Sequence, residues 1–122
     1  MKVIYLAGGM SDDWQDKASS LLPGCICKDP RSWSDPTPAI YTKRDIDALL
    51  DSSYMLAYMD SRNPSGFGLS LELGYAAALG RKIVFVDAIK DDWRSKYFGM
   101  HRELASYVAP NIATACAWIL VN

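Results

Sequence analysis

The chain of 122 residues has little cysteine, a single histidine and no surplus of either charge. Its three cysteines, Cys25, Cys27 and Cys116, are an odd number without an even framework, which excludes a secreted disulfide scaffold. No CxxC is present, and no metal site is expected. No Ser/His/Asp triad can be assembled around His101. Thirteen basic and fourteen acidic residues leave a net charge of -1. That balance argues against binding a nucleic-acid polymer, which needs a basic face to neutralise phosphates. Long apolar runs are missing as well. Nothing approaches the roughly 20 residues needed to span a membrane. Met1 to Gly8 lacks the 7–15-residue apolar stretch of a signal peptide. These absences predict a soluble protein of a reducing compartment, the cytoplasm.

What is present is half hydrophobic and 22% charged, a globular composition. The length is that of one domain, taken as residues 1–122, and it can bury a core without a metal or disulfide staple. Short apolar runs alternate with longer amphipathic segments. Val3 to Ala7 reads as a buried strand ended by Gly8-Gly9. Ser11 can cap a helix carrying Trp14, Ala18, Leu21 and Leu22. Cys25 to Cys27 is a short second strand. Residues 29–40, with Pro30, Pro36 and Pro38 around Trp33, read as a loop, and loops of this length are usually functional or mobile. From Tyr41 the pattern is helical. Tyr54 to Met59 is a third strand ending at Asp60. A helix over Leu69–Leu79 is closed by Gly80. Ile83 to Val86 is a fourth strand. Residues 88–103 are polar and aromatic without a clear period, with room for a short helix near Trp93 to Phe98. Ser106 to Val108 makes a fifth strand, and Pro110 suits the first turn of a last helix. Apolar strands alternating with helices imply a parallel sheet covered on both faces. Five of them fit an α/β, flavodoxin-like three-layer sandwich, whose ligand sits beyond the strands' C-terminal ends.

Candidate chemistry gathers at those ends. Asn63 to Ala76 joins the third strand to the next helix, and Gly66 and Gly68 let backbone approach a ligand closely. It is no dinucleotide fingerprint, because the third glycine of G-x-G-x-x-G would fall at Leu71. Glu72 is placed in the first turn of that helix, where exposed N–H groups favour an ionised carboxylate. It is either an acid suiting the helix dipole or a functional group. Tyr5, near the end of the first strand, could donate a hydrogen bond to such a carboxylate or simply be a buried aromatic. Thr42-Lys43-Arg44-Asp45 fits a capping box, so Asp45 either caps a helix start or points into the cleft. Asp60 could cap a turn or bind sugar hydroxyls. Trp33, in the proline-rich loop, is the candidate to stack on a planar ligand.

Three blocks then resemble the nucleoside 2-deoxyribosyltransferase family: Tyr5-Leu6-Ala7-Gly8-Gly9-Met10, Tyr41-Thr42-Lys43-Arg44-Asp45-Ile46, and Gly66-Phe67-Gly68-Leu69-Ser70-Leu71-Glu72-Leu73-Gly74-Tyr75-Ala76. Their order and spacing agree with the family over roughly residues 2–87. The resemblance implies a flavodoxin-like, oligomeric enzyme without a cofactor. It implies cleavage of the N-glycosidic bond of 2′-deoxynucleosides through a covalent deoxyribosyl-enzyme intermediate, with transfer of the sugar to another base. By the same resemblance Glu72 is the nucleophile, Tyr5 orients it, and Asp45 contacts the base and helps its protonation. Gly8, Gly9, Met10, Trp33, Asp60, Ser65, Gly66 and Gly68 are the candidate substrate contacts. Family members often carry Asp or Ser six residues before the nucleophile, where this chain has Gly66, with Ser65 one residue earlier. The related deoxynucleoside-monophosphate N-glycosidases tend to carry an arginine after the first strand. Gly8 to Asp13 has none, which leaves Arg31, Arg44 or Arg62 for a phosphate. Monophosphate hydrolysis and a non-catalytic nucleotide-binding module are the alternatives. The expected partners are a nucleoside or nucleotide, a free nucleobase, and a second copy of the chain. Tyr97, Phe98, Tyr107, Trp118 and Leu120 look too many for one small core, which predicts a homo-oligomeric interface.

Overall fold

The computed structural model describes residues 1–10 and 12–122. Over these the chain runs β1 (Val3–Gly8), α1 (Trp14–Ser20), β2 (Ile26–Lys28), a 3₁₀ turn (Pro30–Trp33), α2 (Pro38–Leu50), β3 (Tyr54–Asp60), α3 (Phe67–Ala78), β4 (Lys82–Ala88), a second 3₁₀ turn (Trp93–Phe98), α4 (Gly99–Leu104), β5 (Tyr107–Ala109) and α5 (Ile112–Val121). All strand pairs are parallel, in the order β2-β1-β3-β4-β5. This is the expected flavodoxin-like order, with its switch point between β1 and β3. Among the described residues no helix is long and apolar enough to cross a membrane.

The strands alternate faces, as the pleat requires. Ile4, Leu6, Leu56, Val84 and Val86 pack against Trp14 and Ala18 of α1 and Ile112, Ala115 and Ile119 of α5. Tyr5, Ala7, Met55, Ala57 and Phe85 pack against Leu49 of α2 and Leu69, Leu73 and Ala76 of α3. Each fully buried Leu or Ile contributes about 1.5–3 kcal/mol, so both sides of the sheet hold helices firmly.

Several boundaries differ from those read in the sequence. The helix expected from Tyr41 starts at Pro38, with Thr37 as N-cap and proline in the first turn, where its missing N–H costs nothing. The Asp35 carboxylate accepts from the Thr37 N–H at 2.8 Å and prepares that start. Thr42 is therefore interior to α2, and the capping-box reading of Asp45 falls. The irregular stretch also shortens, because Asp29 accepts from the Arg31 N–H at 3.0 Å and caps the first 3₁₀ turn. Helix α3 starts two residues before the expected Leu69, because Gly66 takes a left-handed φ of 76° and turns the chain into it. A Cβ at Gly66 would lie 2.9 Å from Phe98 and 3.0 Å from the Met59 sulfur, so glycine is required there for space as well as for conformation. Gly80 closes α3 as expected, with the Arg81 N–H returning to the Ala76 carbonyl at 3.0 Å. Pro110 precedes α5 instead of opening it. Asn111 caps that helix, accepting from the Thr114 N–H at 2.8 Å. The cap expected at Ser11 lies outside the described residues.

Candidate active site

Between the C-terminal end of β1 and helices α2 and α3 lies a cleft of about 460 Å³, within the range that holds small molecules. Tyr5 forms its floor. The residue is fully buried, and its phenol donates to Glu72 Oε2 at 2.5 Å. Glu72 stands in the second turn of α3, not the first, so the helix terminus is not what governs its charge. Burial is. It pushes the Glu72 carboxyl up to about 7. The Tyr5 hydrogen bond pulls the other way, while the neighbouring Asp45 carboxyl, as a second negative charge and an acceptor, pushes it further up. The expectation of a fully ionised Glu72 near neutral pH is thus corrected: both forms are populated. Tyr5 is pushed far above its ordinary range by burial, by the Glu72 charge and hydrogen bond, and by Asp45. It remains a neutral donor.

Asp45 reaches the cleft from the side of α2, and its Oδ1 accepts from the Trp33 indole N–H at 2.8 Å. Tyr5, Asp45 and Glu72 are therefore brought together from β1, α2 and α3, with Gly8, Met10 and Gly68 on the same wall. Gly8 is confined by its neighbours, since a Cβ there would meet the Tyr58 carbonyl at 2.7 Å and the Trp14 ring at 2.9 Å. Gly9 lies behind the cleft. Its carbonyl accepts from Trp14 Nε1 at 2.9 Å and Gln15 Nε2 at 3.0 Å and locks the loop onto α1.

The other residues singled out in the sequence do not line this cleft. Trp33 stands behind Asp45 and packs on the core, so it is not a stacking wall. Asp60 accepts from Arg62 Nε at 3.1 Å and is not among the cleft residues. Ser65 accepts from the Phe67 N–H at 3.2 Å at the entrance to α3. Gly66 is buried under Phe98 and Met59. Conversely, Tyr41, Thr42 and Ile46 of α2 and Leu71 and Tyr75 of α3 line the cleft and were not singled out for it. For Tyr41, Thr42 and Tyr75 the signal was their spacing from Asp45 and Glu72, positions i−4 and i−3 on one helix and i+3 on the other. Of the five residues expected at an interface, Tyr97 and Leu120 are exposed. Tyr107 and Trp118 stack on each other 5.6 Å apart against the core, and Phe98 is buried. Phe67, Leu71, Trp93 and Met100 are exposed apolar side chains as well, as are Met10, Tyr41 and Tyr75 on the cleft itself.

The chain matches no family model and no curated protein. Solved structures match it throughout. A conserved protein of Enterococcus faecalis V583 superposes with TM-score 0.74 at 15% identity, over 99% of this chain and 98% of that one. The CMP N-glycosidase of Clostridium botulinum gives TM-score 0.64 at 19% identity, over 98% of both. The 2-deoxyribosyltransferase of Leishmania mexicana gives 0.59 at 25% identity, over 70% of this chain and 64% of that one. The chain has the fold of the 2-deoxyribosyltransferases. What these structures share with it is the fold, and in this chain that framework holds two carboxyls and a phenol at the switch point.

Proposed function

We propose that the protein is an enzyme that cleaves the N-glycosidic bond of 2′-deoxynucleosides and passes the deoxyribose to a second nucleobase or to water. The observation that carries the reading is Tyr5 donating to Glu72 at 2.5 Å beside Asp45 in one cleft. Cleaving a C1′–N bond builds oxocarbenium-like charge on the sugar, and a carboxylate at that carbon stabilises it and can capture it, as in retaining glycosidases. Tyr5 occupies Oε2, which leaves Glu72 Oε1 to attack. The C1′–N bond breaks as the C1′–O bond forms, and the departing base takes a proton from Asp45. The incoming base or water then attacks C1′, returns its proton to Asp45 and frees Glu72. In the free enzyme the carboxyl pair shares one proton, which passes to Asp45 as Glu72 attacks, lies on the departed base while Glu72 holds the sugar, and returns with the incoming nucleophile. A proton supplied to the leaving base is worth about 10²–10⁴-fold. A merely binding module gains nothing from a carboxylate taken out of water at this place.

The cleft also favours an uncharged sugar. Among the described residues its lining holds two carboxyls and no Lys, Arg or His. The three arginines considered for a phosphate are engaged elsewhere: Arg31 with Asp29 and Asp16, Arg62 with Asp60 and Asp12, and Arg44 with the Trp33 carbonyl at 2.9 Å. A nucleoside therefore fits better than its monophosphate. Exposed Leu71 lines the cleft and lies one turn along α3 from exposed Phe67, which borders a second pocket with exposed Trp93 and Tyr97. This supports a homo-oligomer whose second copy covers these side chains. The three cysteines are free thiols, which suits the cytoplasm.

The deciding experiment is incubation with deoxynucleosides and their 5′-monophosphates, with and without a second free base, followed by chromatography. A new nucleoside means transfer and free deoxyribose means hydrolysis. A deoxyribosyl adduct on Glu72 in the mass spectrum is expected, and no turnover on any substrate overturns the reading. A fully active species of about 13.5 kDa by light scattering would overturn the oligomer.

A further inference from the structure

We propose that Trp33 is a positioning residue that decides which oxygen of Asp45 carries the proton to the leaving base. The inference rests on the reading of Asp45 as proton donor. An indole N–H donates and never accepts. At 2.8 Å from Oδ1 it keeps that oxygen as the acceptor of the carboxyl group. A proton on Oδ1 would face the indole hydrogen, so the proton that Asp45 passes to the base in that reading is carried on Oδ2. The carboxyl plane is fixed at the same time, because a hydrogen bond from a packed ring removes rotation about the last side-chain torsion.

The support for the indole is unusually complete for a residue from a proline-rich segment. Trp33 ends the 3₁₀ turn Pro30–Trp33, whose start is capped by the Asp29 carboxylate. Its ring packs against the core cluster that contains Tyr5, Leu49 and Leu73. Its own carbonyl accepts from Arg44 Nη1 at 2.9 Å, and Arg44 is the residue next to Asp45 on α2. Trp33 thus grips the same turn of α2 twice, once at the backbone and once at the carboxyl. It does not line the cleft, so a change in its N–H acts on substrate only through Asp45. In the reaction proposed above, the orientation of Oδ2 sets how well the O–H lies along the line to the departing nitrogen, and misalignment is costly for proton transfer.

The test is Trp33→Phe, which keeps an aromatic ring in the core and removes the N–H. Turnover is measured on deoxynucleosides with poor leaving bases and on one whose base departs without protonation. The expected result is a loss of kcat of about 10- to 100-fold on the first class, no loss on the second, and KM changed by less than about twofold. The same substitution placed in an Asp45→Asn background should cause no further loss, because the group it orients is already gone. Replacing Trp33 by benzothienylalanine, which keeps the bicycle and substitutes sulfur for the N–H, should reproduce the effect if the smaller ring disturbs folding. Equal losses on both substrate classes, or a full additional loss in the Asp45→Asn background, would overturn the inference in favour of a packing role. Turnover that depends on Asp45 yet is unchanged by Trp33→Phe would overturn it alone. An inert parent protein would overturn the glycosidase reading and this inference with it.

Discussion

Adjacent residues of β1 serve two unlike halves of the molecule. Ile4 and Leu6 face α1 and α5, whereas Tyr5 and Ala7 face α2 and α3. On the first side the end of the strand is sealed. Trp14 lies 5.1 Å from Tyr58 and donates to the Gly9 carbonyl, so side chains fill the space above the sheet. On the second side α2 and α3 stop short of closing, and the gap receives the Tyr5 phenol, Glu72 and Asp45. One side uses its positions for packing. The other accepts a carboxylate that burial makes uncomfortable. Substitutions on the two sides should therefore separate stability from turnover.

The largest effect is expected at Glu72. Glu72→Gln keeps the shape and the bond from Tyr5 but removes the proposed nucleophile, so turnover should fall by at least about 10³-fold. Stability should move the other way. The folded-state value of about 7 lies above the ordinary 4.5, so the protonated form is the one folding favours. That contribution is complete below pH 4.5 and is lost as pH rises through 7. Glutamine resembles the protonated form at every pH. Above pH 7 the variant should gain on the order of 1–3 kcal/mol over the parent, and below 4.5 the gain should vanish. Thermal midpoints across that range measure it, and a variant less stable than the parent at pH 8 would show that the charge is structurally supported.

Leu6→Ala examines the sealed side. Leu6 is 1% exposed and pairs with Leu56. Removing it leaves a cavity and should cost about 2–5 kcal/mol, read by denaturant midpoint. Turnover per folded molecule should stay at the parental value, since the side chain points away from the cleft. A matching fall in kcat would mean that the two halves are coupled through β1.

One position along the same strand, Tyr5→Phe should do the reverse. Losing a hydrogen bond to a charged group costs about 1.5–3 kcal/mol, or 10- to 150-fold in rate. The Tyr5 bond holds Glu72 down, so without it the acid limb of the kcat/KM profile should move to higher pH. An unmoved limb would make Tyr5 an ordinary core aromatic.

The sealed side was the more legible in the sequence. Continuous apolar runs mark strands buried on both faces, and all five strands fall within two residues of where those runs place them. Helix starts were harder to read. Thr42 to Asp45 imitates a capping box in the interior of α2, while the working start at Thr37-Pro38 sits among prolines that read as loop. Tyr5, Asp45 and Glu72 stood out by residue type and by the blocks around them. Their meeting depends on where two helices point across the sheet, which spacing alone does not specify. Trp33 shows the same limit. Its sequence context suggested a ring stacking on a planar ligand, and the capped 3₁₀ turn instead carries it onto the core and to Asp45. The residues lining the cleft from α2, Tyr41 and Thr42, became legible once the helix began three residues earlier than expected.

The smallest effect sharpens the comparison at the edge where the strands end. Asp60 terminates β3 beside the switch point and was a candidate for sugar hydroxyls. In the structure its carboxylate is not among the cleft groups and pairs with Arg62, which also pairs with Asp12. Arg62 is largely exposed, and ion pairs of this kind contribute about 0–1 kcal/mol. Asp60→Asn keeps an oxygen able to accept from Arg62 and loses only the charge. The thermal midpoint should drop by a degree or two at low salt and less at high salt, because screening weakens the pair already. The value of kcat/KM for a deoxynucleoside should stay within about twofold of the parent. A larger loss confined to KM would place Asp60 on the sugar and require the β3 terminus to turn toward the cleft when substrate binds.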